Sequence, residues 1–269
     1  MNIESIVIAG AGTMGYSMAQ IFARYNYDVT IYDLKAEAIE NAQKRIKENT
    51  QILVQDQELT VEQEKQLHQH LKYTTDKACF KNCDLVVESI IEKVEIKQSF
   101  YQEISRIVKE DTILATNTSG ISINTLASAV CKPERFIGMH WFNPSHLILL
   151  IEIIKGDQTL DTVAQAIKEL SIHIGKKPVI VQKDVLGFAA NRIQFAVLRE
   201  ALYLVEQGVI SKEDIDAVMK YGLGFRYACL GPLEVADFGG LDTFYHISDY
   251  LMKDLCNDTK IPSELAKLY

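Results

Sequence analysis

The run Ile6-Val7-Ile8-Ala9 passes straight into Gly10-Ala11-Gly12-Thr13-Met14-Gly15 and then into a helical pattern, and no other stretch restricts the fold as much. A short aliphatic run of this kind suits a buried strand and is too brief for a buried helix. Glycines at this spacing permit a tight turn and close backbone approach, so the strand hands over to a helix whose first N–H groups stay uncovered. Those N–H groups and the helix dipole make a seat for an anion, and a pyrophosphate suits it. Taken alone, a glycine motif says little. One that closes a strand and opens a helix at the head of a βαβ pattern is far more specific, although a glycine turn without a ligand is the competing reading.

The rest of the chain supplies that pattern. Strand-like runs recur at 28–32, 85–88, 113–115, 136–140, 149–154 and 178–181, in addition to 5–9. Between them, 15–24, 35–53, 61–71, 94–108 and 160–172 carry apolar residues at three-to-four spacing. Such alternation predicts an α/β fold with a Rossmann-type, doubly wound and mainly parallel sheet. After Val181 the pattern changes, and Gln182-Lys183-Asp184-Val185-Leu186-Gly187 reads as a linker. From Phe188 onward only helices are expected: a long apolar one over 188–206, one capped by Ser211 with Glu213 and Asp214 in its first turn, a segment opened by Gly231-Pro232, and a last helix after Gly239-Gly240. The expected organisation is a nucleotide-binding domain over 1–182 and a smaller all-helical domain over 187–269 for substrate binding and dimerisation.

At 269 residues with 48% apolar content, the chain can build a real core. A net charge of −8 and no basic stripe argue against nucleic acid as a partner. No uncharged apolar run is long enough to span a membrane, and Met1-Asn2-Ile3-Glu4-Ser5 has no leader character, so a cytoplasmic location is expected. Cys79, Cys83, Cys131, Cys229 and Cys256 are odd in number and irregularly spaced, which predicts buried thiols in a reducing compartment and no metal site. The apolar faces of 188–205 and 245–255 exceed what a small domain needs to cover itself, which predicts a homodimer through that region.

Two acidic positions carry chemistry. Strand two ends in Ile31-Tyr32-Asp33, where a carboxylate accepts hydrogen bonds from an adenosine ribose and repels a 2′-phosphate, favouring NAD over NADP. Glu152 lies in Leu147-Ile148-Leu149-Leu150-Ile151-Glu152-Ile153-Ile154, where every neighbour is aliphatic. An ionised carboxylate in a buried strand costs on the order of several kcal/mol unless a charge or donor meets it. His140, ending Phe136-Ile137-Gly138-Met139-His140, stands where a neighbouring strand finishes and offers that partner. An imidazole–carboxylate pair is the core of an acid/base catalyst. A purely structural contact accounts for the same residues.

With these features assembled, the sequence resembles the 3-hydroxyacyl-CoA dehydrogenase family through nearly its whole length. The resemblance rests on Gly10 to Gly15, Asp33, Asp84-Leu85-Val86-Val87-Glu88, Ala115-Thr116-Asn117-Thr118-Ser119, His140-Trp141-Phe142-Asn143-Pro144, Leu150-Ile151-Glu152, Gly187-Phe188-Ala189-Ala190-Asn191-Arg192, Glu213-Asp214-Ile215-Asp216 and Gly231-Pro232-Leu233-Glu234. It implies that His140 removes the substrate hydroxyl proton while Glu152 orients and stabilises the imidazole. Ser119 and Asn191 match residues that touch the substrate oxygens and the base. Glu92, Lys97 and Asn143 match the nicotinamide side of NAD, and Gly10, Gly12, Thr13, Met14, Gly15, Asp33 and Asn117 complete the cofactor seat. Read without the family, 117–119 is a hydroxyl-capped turn, Asn191 an interdomain hydrogen bond and Lys97 a solvated charge.

Several departures bear on substrate. The stretch from Gln51 to Leu71, where acyl-CoA members place lysines against CoA phosphates, holds Asp56, Glu58, Glu62 and Glu64 against Lys65. Lys44, Arg45 and Lys47 lie just before it. Ser145-His146-Leu147-Ile148-Leu149 replaces the usual small-residue and Met-Lys run. Gly222-Leu223-Gly224-Phe225-Arg226-Tyr227 is similar to the L-gulonate 3-dehydrogenase and lambda-crystallin subgroup, in which Arg226 would clamp a free carboxylate; an ordinary salt bridge explains it equally. Family members also continue past a point matching Ala266-Lys267-Leu268-Tyr269 into a glycine-rich segment, so no contact from that segment is carried over. The resemblance implies an NAD-dependent L-3-hydroxyacyl-CoA dehydrogenase acting in fatty acid metabolism. The alternatives are a dehydrogenase of a free 3-hydroxy acid such as L-gulonate or carnitine, and a non-catalytic NAD-binding structural protein.

Overall fold

The computed structural model describes residues 2–262 and 265–266. The last residues of the chain, 267–269, lie outside the described residues. Two compact units divide at Ala189 and Ala190.

The first unit is built on one eight-stranded sheet in the order β3-β2-β1-β4-β5-β6-β7-β8. Its strands are β1 (Ser5–Ala9), β2 (Asp28–Tyr32), β3 (Leu71–Thr74), β4 (Leu85–Glu88), β5 (Ile113–Thr116), β6 (Phe136–Trp141), β7 (Leu150–Lys155) and β8 (Lys177–Val181). The helices between them are α1 (Thr13–Arg24), α2 (Ala36–Gln55), α3 (Val61–Gln69), α4 (Val94–Ile104), α5 (Ile123–Ala127) and α6 (Asp161–His173). Alternate strand residues feed opposite faces: Ile6 and Ile8 pack with Met18 and Phe22 of α1, while Val7 and Ala9 pack with Tyr101, Ile104 and Leu126. From β1 the chain winds outward through β2 and β3, then returns to β4 on the other side of β1. This reversal opens a crevice beyond the carboxyl ends of β1 and β4, the usual place for a ligand in such sheets.

Every neighbouring pair is parallel except β6–β7, which is antiparallel. The cause is the connection. Residues 142–149 contain no helix, and a parallel crossover needs a longer segment to return the chain. The antiparallel register sets His140 directly opposite Glu152.

Several features depart from expectation. The helical pattern assigned to 61–71 ends at Gln69, and Leu71 begins β3, whose short run Leu71-Lys72-Tyr73-Thr74 has too little alternation to announce a strand. The five-residue α5, capped by the Ser122 hydroxyl, was hidden by its brevity. Cys131 and Cys229 are exposed and Cys79 is half-buried, so only Cys83 and Cys256 match the expectation of buried thiols.

The second unit contains α7 (Ala190–Glu206), α8 (Lys212–Val218), a π-type turn (Met219–Leu223), α9 (Gly224–Tyr227), α10 (Pro232–Gly239) and α11 (Leu241–Leu251). The Ser211 hydroxyl accepts from the Asp214 N–H at 3.0 Å, as its position before the acidic turn suggested. The long helix begins at Ala190 rather than Phe188. Gly187 and Phe188 both adopt left-handed backbone, with φ +75° and +52°, which no helix accommodates. Among the described residues of this unit only Val235 and Cys256 are buried. No described helix is long and apolar enough to cross a membrane, and no described cluster of side chains has the makings of a metal site.

Candidate active site

The glycine loop is shaped by close approach. A Cβ on Gly15 would lie 1.8 Å from the Gly10 carbonyl oxygen, and one on Gly10, at φ +109°, would lie 2.4 Å from that of Ser89. Over Gly12 the space is open, with no atom within 4 Å of an added Cβ. Gly12 also begins α1 without a capping side chain, and no acid occupies the first turn. The helix therefore keeps its N–H groups and positive end for an anion. Exposed Thr13 and half-buried Met14 continue this first turn. Asp33 stands at the tip of β2, accepting from the Ala11 N–H at 2.9 Å and the Lys35 N–H at 3.0 Å. An uncapped helix start, an open gap over Gly12 and a carboxylate beside the loop fit a dinucleotide.

Three strands along from β1, β6 presents His140. Its Nδ1 lies 2.9 Å from Glu152 Oε2, with the histidine 4% exposed and the glutamate fully buried. The second glutamate oxygen accepts from the Ala189 N–H at 3.0 Å. Both carboxylate oxygens are thus engaged, which offsets the cost of burying the charge. The imidazole is flanked by Phe142, with ring centroids 4.3 Å apart, and Phe188 at 5.7 Å. With Nδ1 committed to Glu152, proton exchange falls to Nε2.

Beyond β4 and β5 lies a second polar group. Lys97 of α4, 1% exposed, pairs with the buried Glu88 and also lies 3.1 Å from Glu92 Oε2. Glu92 Oε1 accepts from the Thr118 hydroxyl and from the Ser119 N–H at 2.9 Å. Burial pushes the Glu92 carboxyl up, but the Thr118 hydroxyl, the Lys97 charge and the Ser119 N–H together hold it below the ordinary value. Asn117 spends its side-chain oxygen on the Trp141 N–H at 2.8 Å, tying the end of β5 to that of β6. Ser119 is exposed on the loop that Glu92 grips.

Asn143 is exposed on the segment after β6, which is fastened at several points. Lys176 donates to the carbonyls of Ser145 and, at 2.8 Å, Ile148, and the Ser145 hydroxyl bonds that of Ser17 on α1. Burial pulls the Lys176 ammonium down from its ordinary value. In the second unit, Asn191 lies in the first turn of α7, and Arg226 is exposed on α9, near the ring of Tyr227. Sequence reasoning assigned no role to Glu88, Tyr101, Phe142 or Phe188. Glu88 carried a readable sign, the same one as Glu152: a carboxylate ending an aliphatic strand.

Sequence models of the 3-hydroxyacyl-CoA dehydrogenase NAD-binding domain and C-terminal domain match residues 5–185 and 187–269. The chain belongs to the 3-hydroxyacyl-CoA dehydrogenase family. It is accordingly an NAD-dependent oxidoreductase acting on a CH–OH group. A probable 3-hydroxybutyryl-CoA dehydrogenase of Deinococcus radiodurans is 40% identical, across 97% of this chain and 92% of the relative. The 5-formyl-3-hydroxy-2-methylpyridine 4-carboxylate 5-dehydrogenase of Mesorhizobium japonicum is 39% identical, across 98% and 85%. Among solved structures, the (S)-3-hydroxybutyryl-CoA dehydrogenase of Ralstonia eutropha superposes with a TM-score of 0.83 at 34% identity, covering 99% of this chain and 93% of that one. A structure of an NAD-dependent dismutase, a dehydrogenase of the same pyridine carboxylate, gives 0.89 at 36%, covering 99% and 85%. These likenesses extend to the mainly parallel sheet and the helical second unit.

Proposed function

We propose that the chain transfers hydride between the 3-hydroxy carbon of an L-3-hydroxyacyl-CoA thioester and NAD. The observation that carries this reading is the buried pair of His140 Nδ1 and Glu152 Oε2 at 2.9 Å, on the same sheet as the Gly10 loop. His140 takes the hydroxyl proton on Nε2, and Glu152, held by the Ala189 N–H, stabilises the imidazolium that forms. NAD, when bound, supplies the acceptor for the hydride. Ser119 meets the substrate oxygen as negative charge develops on it, and the family resemblance assigns Asn191 of the second unit to substrate contact as well. Gly10, Gly12, Thr13, Met14, Gly15 and Asp33 hold the pyrophosphate and adenosine end, while Glu92, Lys97, Asn117 and Asn143 serve the nicotinamide end.

A second reading has its own support. Asp56, Glu58 and Glu62 are exposed around the α2–α3 turn, beside the single lysine Lys65, which is a poor seat for CoA phosphates. The relative from Mesorhizobium japonicum is named for a pyridine carboxylate. A free 3-hydroxy acid, its carboxylate met by Arg226, fits both facts. The deciding experiment follows NADH absorbance with acetoacetyl-CoA and 3-hydroxybutyryl-CoA beside a panel of free hydroxy acids that includes L-gulonate and carnitine. Turnover of the thioesters supports the first reading; turnover of free acids alone sinks it. No turnover with any substrate, with NADH still bound, supports a structural NAD-binding protein.

The same reading includes a cytoplasmic enzyme of fatty acid metabolism that works as a homodimer. Support for the dimer comes from α7 and α11, neither of which buries a single residue, while Phe195 and Tyr245 are 59% and 73% exposed.

A further inference from the structure

Glu88 is as fully buried as Glu152, yet it takes no part in proton transfer. It ends β4, directly beside the Gly10 loop, where the Ser89 N–H donates to the Ala9 carbonyl at 2.7 Å. Its carboxylate has four donors. Oε1 accepts from the Ile90 N–H at 2.8 Å and from Lys97 Nζ; Oε2 accepts from the Thr116 hydroxyl at 2.7 Å and the Tyr101 hydroxyl at 3.0 Å. So complete a set of donors marks a carboxylate placed for a purpose, because a buried charge is a poor source of net stability. Tyr101 is equally committed. Burial pushes its hydroxyl well up, and the neighbouring Glu88 charge adds to that, so it remains a donor.

Lys97 connects this hidden anion to the surface. Its ammonium lies between Glu88, which no solvent reaches, and Glu92, whose side chain is 44% exposed. Glu92 in turn grips the Thr118 hydroxyl and the Ser119 N–H on the loop after β5. A buried carboxylate, a buried ammonium, an accessible carboxylate and a loop amide therefore form one continuous line. Without its inner end, the ammonium would have only one carboxylate partner and the outer carboxylate would lose a fixed neighbour.

We propose that Glu88 is a positioning residue for the nicotinamide side of the cofactor site, acting through Lys97 to fix the Glu92 carboxylate and the Ser119 loop. The assignment rests on the reading of Lys97 and Glu92 as nicotinamide-side residues, and the test separates the two. In Glu88→Gln, which keeps shape and removes charge, KM for NAD and the dissociation constant for NADH rise roughly tenfold, while KM for the hydroxy substrate stays within about twofold. Glu88→Asp, which restores the charge, recovers part of the loss. Combining Glu88→Gln with Lys97→Met adds nothing to the effect of Lys97→Met alone, because both act on one line.

A control sets aside simple loss of packing: Phe136→Leu, whose ring touches Tyr101 at 4.8 Å between centroids, lowers the melting temperature without moving KM for NAD. Should Glu88→Gln not fold, Tyr101→Phe removes one donor and gives a smaller rise in KM for NAD in the same direction. A Glu88→Gln or Tyr101→Phe protein that melts earlier with cofactor constants unchanged overturns the proposal. Full additivity with Lys97→Met overturns it too. Unchanged NADH binding in Lys97→Met would instead break the underlying reading of Lys97.

Discussion

The two units of the chain differ in how they are held together. In the first, aliphatic side chains from both faces of one sheet disappear completely from solvent, and even charged groups such as Glu88, Lys97 and Glu152 are buried with their partners in place. In the second, Val235 and Cys256 are the only buried residues among those described, and Phe225, Leu233 and Phe238 are each more than three-quarters exposed. A sheet packed on both sides can fix a histidine and a carboxylate within hydrogen-bonding distance before any substrate arrives. A helical unit with almost no interior of its own needs another surface to cover its apolar faces. The preorganised His140–Glu152 pair belongs to the first unit, and the proposed dimer surface to the second.

The sharpest way to break this division is at His140. In His140→Gln, turnover is expected to fall roughly 10²–10⁴-fold, the usual range for losing a positioned acid/base group. NADH binding, followed by fluorescence, stays nearly intact because the glycine loop is built from different strands. Loss of cofactor affinity together with activity would show that the seat and the pair are one structure, not two.

The glycine loop allows a finer cut within the same unit. Gly15→Ala drives a Cβ into the Gly10 carbonyl, so the loop itself must deform; Gly12→Ala meets no protein atom within 4 Å. The melting temperature should drop by roughly 5 °C or more in Gly15→Ala and stay near the parent in Gly12→Ala. NADH affinity falls in both. If Gly12→Ala binds NADH normally, the open gap over that residue is not where the pyrophosphate lies.

For the second unit, Phe195→Asp places a charge on α7, where the ring is 59% exposed. If a second copy covers that ring, the loss is on the order of 2 kcal/mol of burial, and the dimer dissociation constant rises roughly thirtyfold or more. Size-exclusion chromatography with light scattering across a dilution series reads this directly. A parent chain that is monomeric at every concentration removes the dimer altogether.

How far the sequence reached follows the same division. The strand-glycine-helix start, the strand-helix alternation of an α/β unit and the His140–Glu152 pair were legible because each leaves a local mark: a run of aliphatic residues, a glycine spacing, a carboxylate where none belongs. The antiparallel turn between β6 and β7 was not, since it depends on the absence of a crossover helix. Strand β3 was missed because Leu71-Lys72-Tyr73-Thr74 is defined by pairing with β2, not by its own pattern. The apolar side chain of Phe188 suits a helix, but its left-handed backbone, beside Gly187 and the Ala189 N–H that reaches Glu152, does not. Glu88 shows the opposite error. Its mark was as plain as that of Glu152, but without a histidine to suggest chemistry it passed as part of a strand.

The smallest expected effect lies at the far end of the sheet from the active site. Asp84 accepts from the N–H groups of Glu4 and Ser5 at 2.9 and 2.8 Å, from the Ser5 hydroxyl, and from Lys109. Burial pushes its carboxyl up, but Lys109 and the Ser5 and Glu4 donors outweigh it and hold it well below the usual carboxylate range. A group depressed on folding contributes stability in full above its unfolded value of about 3.9, and that contribution drains away as pH falls through the folded value. Asp84→Asn should therefore lower the melting temperature by roughly 2–4 °C at neutral pH, with the gap to the parent closing as the solution is acidified below about pH 4. A gap of constant size at every pH would mean that asparagine merely packs badly there, and that the charge on Asp84 does not brace the sheet.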